Sequence, residues 1–532
     1  MEYILVEQAL PFTIPISPCN NFVDEVDSLP PSAPPNTGEQ SSAEWVRLIF
    51  HDFITADVVA GTGGLDASIG FESERAENIG KHFINDTLTF FDVFVNAYVS
   101  LADMIALGAI MSLRTCSGLN AETELKVGRI DATKAGPSGV PQAFTDLTTT
   151  LATFETAGFN QSEAITAVAC GHSLGGVHYV NFLSIVGEDV VTINNTDGVS
   201  TFDSTPDVFD NIVIKEYLAG TGKCGGPLVI GSNVTTRSDL RLFQSDNNLT
   251  IKSLLSPDDF HTKCGYIFQR MIDTVPTAVT LSEPVVPQKW KITTYDYQLR
   301  QDGTLSISGN IRYLCDLGLN CPAPSTLSYT FATLNEPTGT FSTLPLPTVQ
   351  GRVPGDTCGS FFSTDAPFFG NFSSYCFSNN ITSSTTAIIV QNEYSYPLFP
   401  SVFVAQSDSS IAQTITIIND TSFVLNTTLK LSAAALTWIV KDAKTLDVVF
   451  YQKGPGPACQ QSVSNIFNME CTGITESEGS LERLGTVGEY TIFTGTQTWV
   501  GGAGLQAVQV GYQGVWSMSV ATLGLVLNTT VV

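Results

Sequence analysis

Basic residues are scarce in this chain of 532 residues, where 24 Lys and Arg stand against 51 Asp and Glu for a net charge of −27 at pH 7. Such a surface repels polyanions, so binding to nucleic acid or to an anionic membrane surface is electrostatically disfavoured, and no basic run contradicts this. Charge of either sign is sparse at 14%, while 43% of residues are hydrophobic, which excludes a disordered chain. The length leaves room for two to four domains with cores of their own. No internal apolar run is long enough to be a transmembrane helix, and no low-complexity tract or clear repeat is present. Histidine is rarer still: there are five, and none follows His261. Imidazole chemistry therefore belongs to the first half.

Cysteine, by contrast, is plentiful. Eleven Cys and about ten N-x-Ser/Thr sequons, among them Asn85, Asn194, Asn371 and Asn426, point to an oxidising secretory compartment and a glycoprotein. Three close pairs, Cys315 with Cys321, Cys358 with Cys376 and Cys459 with Cys471, read as local staples of the second half. The opening MEYILVEQALPFTIPI has no basic start, carries Glu2 and Glu7, and has prolines in its apolar run, so it is a poor signal peptide. Either a leader is missing or the chain starts mature. Near the other end, small residues Gly501 to Gly504 precede VWSMSVATLGLVL, a pattern similar to a GPI-anchor signal. The alternation in LQAVQVGYQ reads equally as an ordinary strand.

Periodicity divides the chain. From about residue 20 to 283 the pattern is helical, as in INDTLTFFDVFVNAYVSLADMIALGAIMSL, with Gly and Pro between segments. The Pro-rich EPVVPQ from Glu283 marks a linker. Beyond it the period becomes two, as in KITTYDYQLRQDGTLSISGNIRYL, where Asp302-Gly303 divides two alternating runs like a hairpin turn. The expected organisation is multidomain: an N-terminal extension over 1–40, a mainly-α domain over 41–283, and an all-β, sandwich-like region of one or two units over 284–532.

Two helical motifs carry the chemistry. EWVRLIFHDF puts Arg47 and His51 four residues apart, hence on one helix face, with Phe50 beside them. NQSEAITAVACGHSLGGVHY presents His172 on a second helix, which Ser162 can cap and which Gly175 and Gly176 end. A lone His on an apolar face is more often a hydrogen-bonded core residue than a ligand. Two such motifs, with GTGGLDASI and FESERAENIG after the first and FDSTPDVFDN after the second, remove that explanation. From about Ser41 to Pro276 the chain resembles the plant and fungal haem peroxidase superfamily, closest to the secreted fungal branch called class II.

The resemblance implies haem b as cofactor and hydrogen peroxide as oxidant. It implies His51 as the acid–base residue, Asn78 as its hydrogen-bond partner, Arg47 as stabiliser of developing charge and Phe50 as the aromatic beside the haem. His172 would bind the haem iron, with Asp246 in LFQSDNNL accepting its Nδ1 proton and favouring a ferryl intermediate. Two calcium ions follow from the same likeness. One would be held by Asp52, the Gly64 carbonyl, Asp66 and Ser68, the other by Ser173, Asp203, Thr205, the Val208 carbonyl and Asp210. The resemblance also suggests the disulfides Cys19–Cys116 and Cys224–Cys264, leaving Cys170 as a buried free thiol.

Departures from the family narrow the substrate. Where manganese-oxidising relatives have three acids, spacing gives Gln40, Glu44 and His178, and where others carry a surface Trp five residues before the proximal His, this chain has Ala167. Trp45 is read as packing against a neighbour. The expectation is one-electron oxidation of small phenolic or dye-like aromatic substrates. The competing reading is a retired peroxidase fold serving as a wall-associated binding protein. For the β-rich region, cell-wall polysaccharide is the expected partner if its aromatics are exposed, and a filled core if they are not.

Overall fold

The structure is a computed structural model that describes residues 40–531, apart from 315–325, 351–371, 454–473 and short stretches elsewhere. The opening segment and the Cys315–Cys321 and Cys459–Cys471 pairs lie outside the described residues. The helical half is built on α1 (Ser41–Phe53), α2 (His82–Asp92), α3 (Leu101–Ser117), α4 (Leu147–Thr156), α5 (Gln161–Gly171), α6 (Ile212–Ala219), α7 (Ser238–Gln244) and α8 (Pro257–Asp273). α3 is the central one. Ala102, Ile105, Ala106, Ala109 and Leu113 are all fully buried along it, so it is buried on nearly every side, as a helix wrapped by others must be. Gly108 lets α2 approach, because a Cβ there would come within 2.4 Å of the Phe91 ring. The start of α3 is held by Asp131, whose carboxylate accepts from the backbone N–H groups of Leu101 and Ala102 at 3.0 and 2.9 Å. Its first turn carries Asp103, in a buried 2.8 Å ion pair with Arg129. Arg129 in turn donates to the Ile272 carbonyl on α8, so a buried charge pair ties α3 to α8 through a loop.

α5 differs from expectation at both ends. Its cap is Asn160, not Ser162: the Asn160 side chain accepts from Glu163 N and Glu163 reaches back to Asn160 N, a reciprocal capping box. It stops at Gly171, with His172 as the C-terminal cap, and Gly176 already belongs to a short strand, Gly176–His178, paired with Val199–Thr201. The cysteines differ too. Cys170 is bonded to Cys264, joining α5 to α8 in the buried core, and Cys224 is free. Helix packing decides this, since both partners are fully buried where α5 and α8 meet, whereas Cys224 lies in the loop after α6. Cys116 and Cys376 are disulfide-bonded, and their expected partners Cys19 and Cys358 lie outside the described residues.

After α8 the chain doubles back, with Ser282 and Val285 donating to the carbonyls of Val127 and Leu125 before the first long strand opens at Trp290. From there the region is all β. Trp290–Leu299 and Leu305–Leu314 form the hairpin expected at Asp302-Gly303: Gly303 takes φ +85° and the Asp302 carboxylate accepts from Thr304 N. With Phe372–Ile381 they make a three-stranded sheet, which shares a core containing Ile307, Ile311, Phe331, Ile388 and Tyr375 with a four-stranded sheet led by Tyr329–Asn335. A second unit is a ten-stranded sheet centred on Ser422–Leu436 and Tyr490–Val500. It curls into a near-barrel around Leu429, Leu431, Val448, Phe450, Phe493 and Val508 rather than forming two flat layers. The alternating LQAVQVGYQ segment is the strand Leu505–Tyr512, with Val508 and Val510 fully buried in that core. Among the described residues, no helix is long and apolar enough to cross a membrane.

Candidate active site

A cavity of about 670 Å³ opens in the helical half, within the range of ordinary cofactor pockets. α1 sends Arg47, Phe50 and His51 into it, the end of α5 sends His172, α7 sends Asp239 and Leu242, and α8 sends Phe268 and Met271. Four-residue spacing explains the first set: on a helix, positions 47 and 51 face one way while Leu48, Ile49 and Phe53 are fully buried in the core.

His51 is 7% exposed, and its Nδ1 lies 2.7 Å from Asn78 Oδ1. The Asn78 amide is oriented by its own Nδ2, which donates to the Glu72 carbonyl at 2.9 Å. Oδ1 therefore faces the imidazole, Nδ1 carries the proton, and Nε2 is left as a base. Burial first, then the Arg47 charge, lower the His51 pKa to about 3, with the Asn78 bond opposing them. The resting imidazole is neutral. Glu72 is anchored in turn, by Arg75 at 2.9 Å and by Gly136 N at 2.7 Å.

His172 Nδ1 donates to Asp239 Oδ2 at 2.6 Å, and its ring stacks on Phe202 with centroids 4.3 Å apart. The partner acid is thus Asp239 and not Asp246. The Asp246 carboxylate instead accepts from Leu249 N, Thr250 N and Thr250 Oγ1, capping the helical turn Leu249–Lys252. Asp239 sits in the first turn of α7, 2% exposed, with Ser238 Oγ donating to its other oxygen at 3.0 Å. The signal for it was the buried side of DLRLF, where Asp239 precedes Leu242 and Phe243 by a helical turn.

The cavity suits haem by its chemistry: two imidazoles, each with Nδ1 engaged and Nε2 available, among aromatic walls that include Phe50, Phe83, Phe154 and Phe268. Neither candidate calcium set contains three converging acids or imidazoles, and no such group occurs among the described residues. In the first, Asp52 Oδ2 accepts from Asp66 N and Ala67 N and its Oδ1 from Ile69 N, while Asp66 accepts from Ser68 N. Burial and then the neighbouring Asp66 push the Asp52 pKa well above its ordinary value. Gly64 bends the loop at φ +101°, where a Cβ would strike the Thr274 carbonyl. In the second set, Thr205 N donates to Asp203 Oδ1 at 2.8 Å and Thr205 Oγ1 lies 3.3 Å from both oxygens of Asp210. Asp203 Oδ2 is buried with no hydrogen bond, and burial, with Asp210 and Glu216 nearby, raises the Asp203 pKa to about 7. An orphaned carboxylate oxygen beside a second acid fits a cation. Ser173 Oγ donates to the Cys170 carbonyl, and Val208 N to the Thr205 carbonyl.

The substrate positions also come together. Gln40, Glu44 and His178 all line the cavity. Ala167 lines it as well and is 3% exposed, so the position that spacing matched to a surface Trp is not on the surface. Trp45 is buried and stacks on Phe90 at 5.9 Å.

The peroxidase family model matches residues 32–254, the stretch that supplies all of the cavity lining named above except Phe268 and Met271. Over 279 residues the chain is 40% identical to a WSC domain-containing protein of Arthroderma benhamiae, covering 51% of this chain and 37% of that protein. It is 27% identical over 252 residues to manganese peroxidase 2 of Phlebia radiata, covering 44% of this chain and 60% of the relative. A putative L-ascorbate peroxidase 6 of Arabidopsis thaliana matches at 32% over 133 residues, 24% of this chain and 40% of that one. The chain thus spans between about a third and three fifths of the length of these relatives.

Proposed function

We propose that the helical half of the chain, whose residues 32–254 match the peroxidase family model, is a haem-dependent peroxidase that uses hydrogen peroxide to oxidise small phenolic or dye-like molecules one electron at a time. The observation that carries the reading is the pair of imidazoles, His51 and His172, aimed from two helices into one aromatic cavity with each Nδ1 proton already committed. Haem, when bound there, supplies an iron that changes oxidation state. His172 Nε2 would hold it, and Asp239 would keep the ring in one tautomer and raise its basicity. His51 Nε2 takes a proton from one peroxide oxygen and returns it to the other, which leaves as water. The low pKa of His51 keeps that base free of protons beforehand. Arg47, charged at every working pH, stabilises negative charge on the departing oxygen. A retired binding protein would have no chemical need for the Asn78 and Asp239 contacts.

Calcium would sit first at the Asp203, Thr205 and Asp210 set, on the strength of the orphaned Asp203 oxygen, and second at Asp52, Asp66 and Ser68. Location outside the cell is supported by the Cys170–Cys264 bond. Only one carboxylate, Glu44, accompanies Gln40 and His178, so manganese oxidation is expected to be weak. Steady-state assays with a phenol, Mn(II) and a non-phenolic lignin model compound test this directly. Phenol turnover is expected to dominate, and saturable Mn(II) turnover at micromolar concentration would contradict the substrate assignment.

A further inference from the structure

The turn between Asn78 and α2 serves the cavity through more than Asn78. Arg47 Nη2 donates to the Ile79 carbonyl at 2.8 Å. Gly80 takes φ +74°, where a Cβ would approach Asn181 Nδ2 to 3.0 Å and Arg47 Nη1 to 3.7 Å, so this close passage needs glycine. Phe83, the second residue of α2, is 2% exposed. Its ring centroid lies 3.9 Å from the Arg47 guanidinium carbon and 5.1 Å from the centre of the His51 ring, tilted 64° to it. One buried ring therefore touches both residues that handle peroxide. The Phe182 ring centroid lies 5.5 Å from the same guanidinium carbon.

We propose that Phe83 is a positioning residue that holds the Arg47 guanidinium and the His51 imidazole in one arrangement. A guanidinium against a desolvated aromatic face gains from the ring quadrupole, and an aliphatic side chain of similar bulk gives the packing without that attraction. The Ile79 carbonyl fixes one end of the guanidinium, and the Phe83 ring fixes its plane. This role of Phe83 deepens the peroxidase reading and rests on it.

The test compares full-length, haem-loaded Phe83→Leu and Phe83→Tyr with the parent. Because a cation–π contact in a buried site is worth roughly one decade in an equilibrium constant, Phe83→Leu should slow the reaction with peroxide about tenfold and weaken fluoride binding, followed by the absorption spectrum, about tenfold. Phe83→Tyr keeps the ring and should stay within about twofold of the parent in both. A readout independent of haem is the arginine Nε–H spectrum of the cofactor-free protein labelled with ¹⁵N-arginine. The Arg47 signal, assigned by its loss in Arg47→Lys, should be shifted upfield by the Phe83 ring current and return to the common arginine position in Phe83→Leu. A parent without that upfield signal, or a Leu variant matching the parent in signal and in fluoride affinity, overturns the proposal, and the first outcome holds even if the Leu variant does not fold. Failure of the peroxidase reading shows separately, as a parent that keeps the Arg47 signal but is inert to peroxide.

Discussion

The two halves of this molecule bury polar groups in different ways. In the helical half, the buried polar side chains around the cavity are organised in relays: the Glu72 backbone carbonyl holds Asn78, which holds His51, and Ser238 holds Asp239, which holds His172. In the β half the buried titratable groups are mainly tyrosines packed in cores. Tyr295, Tyr297 and Tyr490 have their pKa values raised first by burial, and Tyr297 and Tyr490 face the same Phe403 ring. Relays with one free end are apparatus, whereas buried phenols against other rings are packing. The first half therefore announces a chemistry, and the second announces only an architecture.

The largest expected effect separates the halves by function. His51→Ala should slow the reaction with peroxide by about two to four orders of magnitude, the range for losing a general acid–base residue. Phe331→Ala, at a fully buried position in the β half, should leave that rate unchanged while costing that unit about 3–5 kcal/mol of stability, read as a lowered second transition in calorimetry. A rate that falls with Phe331→Ala would break the separation.

Next comes the choice between two acids. Asp239→Asn should weaken haem retention about 10–100-fold, as losing the partner of a metal-ligating histidine does. Asp246→Asn should leave the haem spectrum intact and cost at most about 1 kcal/mol through the turn it caps. Spectral titration with haem, beside thermal melting, distinguishes the two. The disulfide ranks third: Cys170→Ser with Cys264→Ser should lower the helical transition by about 2–4 kcal/mol, and Cys224→Ser should not move it.

The smallest effect is one of pH, and its sign differs with the group. Burial raises the Asp296 pKa in the β half to about 6, above its ordinary value of 3.8. The folded state then binds the proton more tightly, so its contribution is complete below pH 3.8 and is lost as pH rises through about 6. His51 runs the opposite way: with a folded pKa of about 3 against 6.5, its contribution is present above pH 6.5 and is lost as pH falls toward 3. Melting curves from pH 3 to 7 should show Asp296→Asn flattening the β transition alone.

What the sequence makes legible follows the same divide. Arg47 and His51 are readable because helix spacing puts them on one face, and Asn78 because its segment FESERAENIG resembles the family's. Asp239 is not, because two acids seven residues apart flank the same apolar turn, and only the packing of α7 against α5 decides which one reaches His172. The Cys170–Cys264 bond is hidden for a like reason: its cysteines are 94 residues apart, and a helix crossing brings them together. Phe83 carries no motif, since its contacts exist only once the turn after Asn78 folds over α1. In the β half, alternation reveals strands and the Asp302-Gly303 hairpin, but not the curl into a near-barrel, which depends on strand order across the sheet.

If His51 and His172 frame one haem-binding catalytic cavity, the most direct measurement is the absorption spectrum of the haem-loaded protein before and after one equivalent of hydrogen peroxide. The expected result is a high-spin ferric Soret band that changes within seconds in the parent, changes far more slowly in His51→Ala, and is lost or altered in His172→Ala. A protein that takes up no haem, or whose bound haem gives the same spectrum with and without His172, would contradict it.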